Sequence, residues 1–157
     1  MTEQTAAAIT LERCAQDVME TIPLVMRFIR TEMRSRRAPS LSVHQFRVLT
    51  FLSRNPESPL TRVTEHLGVS RSTASALVDR LVRRQLVSRT EDPRERRCVM
   101  LTLTPTGIEH LQQARDATCA RLAKVLAGLP SADLVHVAEG LTRLGAAFEE
   151  ISASPRR

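Results

Sequence analysis

Short hydroxyl side chains and arginines are concentrated in one stretch near the middle of the chain. All of them can donate hydrogen bonds to phosphate oxygens, and an arginine can also pair with both acceptors on the edge of guanine. We select as candidate contacts to double-stranded DNA the residues Ser70, Arg71, Ser72, Thr73, Ser75, Arg80 and Arg84. A helix cap followed by a solvated helix face would have the same composition, and Ser70 is expected to serve partly as a cap.

A second group of arginines lies in the charged segment 91–97, which contains Arg94, Arg96 and Arg97. The Asp-Pro pair at 92–93 favours a turn, and the segment is too polar to be buried. Most charge runs of this kind only keep a loop solvated. Because this one lies between two predicted strands, we expect Arg94 to enter a minor groove and Arg96 to contact phosphate or water.

Two short helices joined by a tight turn are predicted to position the first group. Thr61 is expected to cap the first helix, and Gly68 is expected to end it, because glycine tolerates a positive φ. Ser70 would then cap a recognition helix over about 70–84. Its apolar residues recur at helical spacing, as expected for one buried face: Ala74, Leu77, Val78 and Leu81.

The second group is predicted to lie at the tip of a β-hairpin over about 86–103. Leu86–Thr90 reads as one strand, and Cys98–Leu103 alternates apolar and polar residues as the other. A further helix, Val43–Arg54, is expected to begin after a Ser42 cap. A helix-turn-helix followed by a hairpin is a winged helix, so residues 42–104 are predicted to form a DNA-binding region.

These residues resemble the winged helix of the MarR (multiple antibiotic resistance regulator) family. The resemblance rests on Gly-Val-Ser-Arg-Ser-Thr-Ala-Ser at 68–75, on the wing signature Asp92-x-Arg94-x-x-Arg97, and on Leu-Thr-Leu-Thr-Pro-Thr-Gly at 101–107. It implies that Asp92 pairs with Arg97 and braces the wing, and that Arg97 belongs to the DNA-binding set.

The resemblance covers the chain from about Leu11 to Phe148, and two departures stand out. Gln85 replaces the glycine that the family usually places after the recognition helix, and Thr64 replaces a small apolar residue. A non-glycine residue with a positive φ at position 85 would cost on the order of 1 kcal/mol.

Long helices are predicted at both ends, over 9–37 and 105–151. Pro23 is expected to kink the first helix or divide it in two. From Ser131, apolar residues recur at steps of three and four: Leu134, Val137, Leu141, Leu144, Phe148 and Ile151. Residues 152–157 are expected to be disordered. The helices could cover only their own monomer or intertwine with a second chain, and the heptad-like spacing favours the second arrangement.

The predicted fold class is therefore mainly α (α+β): a winged helix-turn-helix whose long N- and C-terminal helices form an intertwined dimerisation domain. The resemblance implies the same arrangement, since members of the family dimerise through these helices. A homodimer also suits a palindromic operator, because two recognition helices about 34 Å apart read successive major grooves.

Composition excludes several other classes. The net charge is +6, and residues 60–103, with nine arginines and five acidic residues, hold +4 of it, which suits an anionic partner. The chain has no Tyr or Trp, which argues against a stacking platform for single-stranded nucleic acid. No membrane-length apolar run, signal peptide or catalytic constellation is visible. We expect a cytoplasmic protein that is not an enzyme and needs no metal or cofactor.

The family resemblance implies a small aromatic or anionic effector bound between the dimer helices and the winged helix, although Met and Phe residues there could equally be ordinary core. Candidate lining residues are Met19, Met26, Phe28, Arg30, Met33 and Phe46. Some members instead sense oxidants through a cysteine at about the position of Cys14, but the tyrosines that hold that thiol are absent here. The cysteines Cys14, Cys98 and Cys119 lack metal-ligand spacing and are expected to be small, at least partly buried hydrophobes.

The sequence thus predicts a homodimeric repressor of a palindromic operator, relieved by a small molecule. A helical dimeric adaptor would use its winged helix to bind protein, and its DNA binding would be weak and without sequence preference. A thiol-based oxidant-sensing regulator that uses Cys14 is the third alternative.

Overall fold

The computed structural model describes residues 10–34, 41–91 and 99–153, and within them six helices and three strands occur. In chain order these are α1 (Leu11–Arg34), α2 (Val43–Arg54), β1 (Ser58–Pro59), α3 (Leu60–Leu67), α4 (Arg71–Arg83), β2 (Val87–Glu91), β3 (Val99–Leu103), α5 (Pro105–Leu126) and α6 (Ser131–Ala153). The chain divides into two compact units, residues 1–118 and residues 119–157. Helix α5 begins in the first unit and ends in the second.

The first unit contains a small antiparallel sheet of order β1-β3-β2. Strands β2 and β3 pair from Val87 opposite Leu103 to Glu91 opposite Val99, as the hairpin prediction requires. Strand β1, which was not predicted, pairs Ser58 with Leu101 on the other side of β3. Two residues are too few to produce a recognisable alternation, and one of them is a proline.

The core of this unit lies between the sheet and helices α2, α3 and α4. Its most deeply buried side chains are Val48, Leu49, Leu52, Val63, Val78, Leu81, Leu86, Val87 and Leu101. Phe46 and Leu77 pack against this cluster while keeping some exposed surface. The apolar face predicted for α4 is therefore a buried face, and burial of apolar side chains from all three helices holds the helix-turn-helix together.

Helix caps explain where α2 begins. The Ser42 side chain accepts a hydrogen bond from the Gln45 backbone N–H at 3.2 Å, and the Gln45 side chain accepts one from the Ser42 N–H at 3.0 Å. This reciprocal capping box satisfies two backbone donors that the helix itself cannot pair. The predicted Ser42 cap is confirmed, and the second half of the box is an additional feature.

The structure decides one alternative at Pro23 and corrects one helix start. Helix α1 runs unbroken from Leu11 to Arg34, so Pro23 does not divide it in two, because one missing backbone donor removes only one hydrogen bond of a long helix. Thr61 is not the cap of α3, since Pro59 holds that position and the helix starts at Leu60. The pairing of β1 with β3 holds Pro59 extended, so Thr61 already lies inside the first helical turn.

Two positive backbone angles shape the ends of the helix-turn-helix. Gly68 ends α3 with φ of 67°, as predicted from its type. Gln85 follows α4 with φ of 58°, a conformation that costs a non-glycine residue on the order of 1 kcal/mol. The tight turn into β2 is therefore retained without the glycine that usually permits it.

The second unit contains the end of α5 and all of α6. Leu134 and Leu144 are half-buried, whereas Val137 and Leu141 are exposed, so the apolar seam of α6 faces solvent to a large extent within this one chain. Helix α6 continues through Ser152 to Ala153, so the expectation of disorder was wrong for those two residues. Residues 154–157 lie outside the described part of the chain. Among the described helices, none has the length and hydropathy to cross a membrane.

Candidate nucleic-acid interface

The N-terminus of α4 presents a compact set of hydroxyl groups. The Ser70 side chain accepts a hydrogen bond from the Thr73 backbone N–H at 3.2 Å and so caps the helix. Its oxygen also lies 3.0 Å from the Ser72 hydroxyl and 2.8 Å from that of Thr73. All three residues are exposed, so their remaining hydrogen-bonding capacity faces outward. The positive end of the helix dipole adds to the attraction for a phosphate.

The arginines selected along α4 differ in their surroundings. Arg71 and Arg80 are exposed, and Ser75 is half-buried beside them. Arg84 is half-buried, and its Nη1 donates to Gln45 Oε1 of α2 at 3.4 Å. Arg71 and Arg80 therefore offer their guanidinium groups to a ligand outside the protein, while Arg84 already makes a contact inside it.

An ion pair that the sequence did not predict joins the recognition helix to the wing. Arg89 of β2 donates through Nη2 to the Asp79 carboxylate of α4. Both side chains keep about two-fifths of their surface exposed, so solvent screens the pair and its contribution to stability is small. Asp79 and Arg89 are ten residues apart, and the short turn between α4 and β2 brings them together.

The tip of the wing lies outside the described residues. This applies to Asp92, Arg94, Arg96 and Arg97, and to the predicted pairing of Asp92 with Arg97. The described strand residues on either side, Glu91 and Val99, are exposed and directly paired.

A partly open cavity of about 240 Å³ lies beside the recognition helix. Its lining is largely apolar, with guanidinium groups from α4 and β2, and consists of Pro59, Leu60, Thr61, Arg71, Val78, Arg89, Val99 and Leu101. Residues at the start of α3, along α4 and on the wing strands all line it, and Arg71 lies both on this cavity and at the exposed start of α4.

The residues predicted to line an effector site have unequal access to a ligand. Met33 is 4% exposed and belongs to the core, and Phe46 packs against that core. Met26 and Phe28 are half-buried, and Arg30 and Met19 are exposed on α1.

The described cysteines and histidines form no metal-binding group. Cys14 and Cys119 are free and exposed, so the expectation that they are buried hydrophobes was wrong for both. Cys98 lies outside the described residues. Within the described ranges, no three His, Cys, Asp or Glu side chains are placed to hold a metal ion.

An exposed, capped recognition helix, a paired two-stranded wing and outward-facing arginines together define a winged-helix DNA-binding protein. Comparison with known proteins points to one family. Residues 40–97, which include the helix-turn-helix, match the model of the MarR family. Over this segment the chain is similar to that family, and the curated relatives it matches are transcriptional regulators.

Relatives and solved structures match nearly the whole length of the chain. A transcriptional repressor, MdtR of Bacillus subtilis, is 23% identical over 139 residues, covering 88% of this chain and 90% of the relative. The crystal structure of FabT from Streptococcus pneumoniae in complex with DNA superposes with a TM-score of 0.67 at 20% identity, covering 90% of this chain and 99% of FabT.

A further similar structure belongs to a protein whose DNA binding is regulated by a small molecule. The structure of Bordetella bronchiseptica BpsR, described as regulated in its DNA binding by 6-hydroxynicotinic acid, has a TM-score of 0.62 at 22% identity. The match covers 84% of this chain and 98% of BpsR. At this level of identity the structural likenesses establish the fold.

Proposed function

We propose that this regulator is a homodimeric repressor that binds a palindromic operator and is released from it by a small aromatic or anionic ligand. The observation that carries the proposal is the apolar surface that its long helices leave exposed. Leu11 and Leu24 on α1 and Val125 on α5 are each more than half exposed, and so is Leu141 on α6. Apolar surface at these positions is costly in water and is typical of a protein interface.

The spacing on α6 supports a helical interface. Leu134, Val137, Leu141 and Leu144 follow one another at steps of three, four and three residues. That repeat places them along one stripe, which suits knobs-into-holes packing against another helix. A second copy of the chain would present the same stripe, and a two-fold axis would relate the two recognition helices as a palindrome requires.

Repression and ligand release are proposed by analogy with the relatives. MdtR is named as a repressor, and BpsR is described as regulated by an aromatic acid. Met26 and Arg30 are our candidate ligand contacts, because both keep surface outside the core that holds Met33. An operator-binding protein must reach DNA, so we place its activity in the cytoplasm.

Replacing Leu141 with glutamate is expected to dissociate the dimer, because a carboxylate buried without a partner is strongly unfavourable. Size-exclusion chromatography with light scattering should give twice the chain mass of 17.5 kDa for the wild type and 17.5 kDa for Leu141→Glu. Thr142→Glu introduces the same charge one residue outside the stripe and should remain dimeric. A wild-type chain that is monomeric at micromolar concentration would refute the proposal.

A further inference from the structure

A cationic surface lies on α2 and α3, outside the residues selected from the sequence. We call it the Phe51 cluster: Arg47, Phe51 and Arg54 of α2, and Arg62 and His66 of α3. The His66 ring stacks on the Phe51 ring, with centroids 4.7 Å apart and planes inclined by 27°. The Arg62 guanidinium carbon lies 6.0 Å from the centre of the same ring. Arg47 Nη2 donates to the His66 backbone carbonyl at 3.0 Å.

Few carboxylates are available to neutralise the positive charge of this cluster. Within the described part of the chain, none of its arginines forms an ion pair with a carboxylate. The other charged or titratable groups nearby in sequence are His44 on α2, Glu57 between the two helices and Glu65 on α3, and all three are exposed. Partial burial lowers the pKa of His66 from the ordinary histidine value of 6.5, and the charges of Arg47 and Arg54 lower it further. His66 is therefore mainly neutral at pH 7 among fixed positive charges.

The position of the cluster in the helix-turn-helix indicates what kind of anion it would meet. Helix α3 is the first helix of the motif, and in this class of protein the first helix crosses the DNA backbone while the second enters the major groove. Arg62 and His66 lie one helical turn apart on its exposed side. Arg62 directly follows Thr61, which borders the same cavity as Arg71 at the start of α4. The start of α3 and the start of the recognition helix thus border one cavity.

We propose that the Phe51 cluster binds a phosphate of the DNA backbone and that His66 takes up a proton from the solvent as the phosphate binds. Arg62 supplies a permanent positive charge, and Phe51 holds the imidazole ring by stacking. Arg47 fixes the α3 backbone at His66 through its hydrogen bond to the His66 carbonyl. The protein would then bind DNA more tightly in a more acidic medium. This inference rests on DNA binding by the chain and is independent of a palindromic operator.

The sign of the pH effect follows from proton linkage. A phosphate beside His66 stabilises the imidazolium and raises its pKa in the complex. The complex then binds more protons than the free protein, so affinity rises as pH falls through the pKa of the complex. Affinity stops rising once the pH is below the pKa of His66 in the free protein, and that pKa is lower than 6.5. One coupled proton can change the affinity by at most about tenfold per pH unit.

Fluorescence anisotropy on a duplex of scrambled sequence tests the proposal, because phosphate contacts do not depend on sequence. At constant ionic strength, wild-type affinity should rise several-fold or more between about pH 8 and about pH 5.5 beyond the change seen for His66→Gln. His44→Gln removes another exposed histidine of the same region and should keep the wild-type pH dependence. His66→Arg should bind at high pH as tightly as the wild type binds at low pH, because its charge is permanent.

A second readout separates a phosphate contact from a structural role. Arg62→Ala should reduce the slope of log affinity against log salt by about one for each protomer bound, at unchanged thermal stability. A wild-type protein without pH dependence would overturn the proposal. So would a His66→Gln variant with the wild-type pH dependence, or an Arg62→Ala variant with the wild-type salt slope. These measurements use DNA of scrambled sequence, so they would remain valid even if the protein did not recognise a palindromic operator.

Discussion

Replacing Gly107 with alanine is expected to destabilise the winged helix by about 3 kcal/mol, near the upper end of the usual cost of overpacking. A Cβ atom at this position would lie 2.0 Å from the Leu86 carbonyl oxygen and 3.0 Å from Leu103 Cδ2. The leucine side chain could rotate away, but the carbonyl oxygen belongs to the backbone. Relief of the clash therefore requires the backbone between α4 and β2 to move.

Hydrogen bonds around Thr104 oppose that movement. Its hydroxyl donates to the Gln85 carbonyl at 2.6 Å and accepts from the Gly107 N–H at 3.0 Å, and its own N–H donates to the Leu86 carbonyl at 3.2 Å. These bonds tie the end of the recognition helix to the beginning of α5. A larger residue at Gly107 must break some of them or strain the positive-φ turn at Gln85.

Urea unfolding of the Gly107→Ala variant measures this cost, and Gly140→Ala provides a matched control. Gly140 also lies inside a helix, and an added Cβ would meet nothing within 4 Å in the chain. Its replacement should be neutral or stabilise by up to about 1 kcal/mol, since glycine is a poor helix former. A Gly107→Ala variant as stable as Gly140→Ala would show that the contact with Leu86 is not tight in solution.

Replacing Arg94 with alanine should weaken operator binding by about 1–3 kcal/mol, a loss of roughly 5- to 150-fold, without lowering the free energy of unfolding. Arg94 lies in the sequence between Glu91 and Val99, the last strand residues that pair with each other. Strand β2, which precedes this segment, is joined to the recognition helix by the ion pair between Arg89 and Asp79. A guanidinium group in a narrow minor groove benefits from its negative potential, and alanine loses that attraction entirely.

Anisotropy titrations of Arg94→Ala and Arg96→Ala on the same duplex separate a groove contact from general attraction. Arg96→Ala removes the same charge and should have the smaller effect, equal on operator and scrambled DNA. Arg94→Ala with wild-type affinity would exclude a contact between the wing arginine and DNA.

Local rules predicted the parts of the fold that depend on a few neighbouring residues. Ser42 and Ser70 cap their helices because a hydroxyl satisfies free backbone donors wherever a helix starts. Gly68 and the apolar face of α4 follow in the same way from residue type and spacing. Thr61 was assigned wrongly because the position of the cap was decided by strand pairing with β3, forty residues further along the chain.

Contacts between residues of different elements could not be predicted from one sequence. The Arg89–Asp79 ion pair and the stacking of His66 on Phe51 join residues from different elements, and no periodicity indicates them. The exposed cysteines illustrate a related difficulty. Cys14 was expected to be at least partly buried from its residue type alone, yet it lies on a face of α1 that the first unit does not cover.

The central claim, sequence-specific DNA binding, is tested most directly by anisotropy on a duplex that the protein itself has enriched from random-sequence DNA. The comparison is a scrambled duplex of equal length, at two salt concentrations. We expect the enriched duplex to bind roughly 10³-fold more tightly or better, with both affinities falling steeply as salt rises. Equal, weak binding to both duplexes, with no sequence enriched by the selection, would contradict the claim.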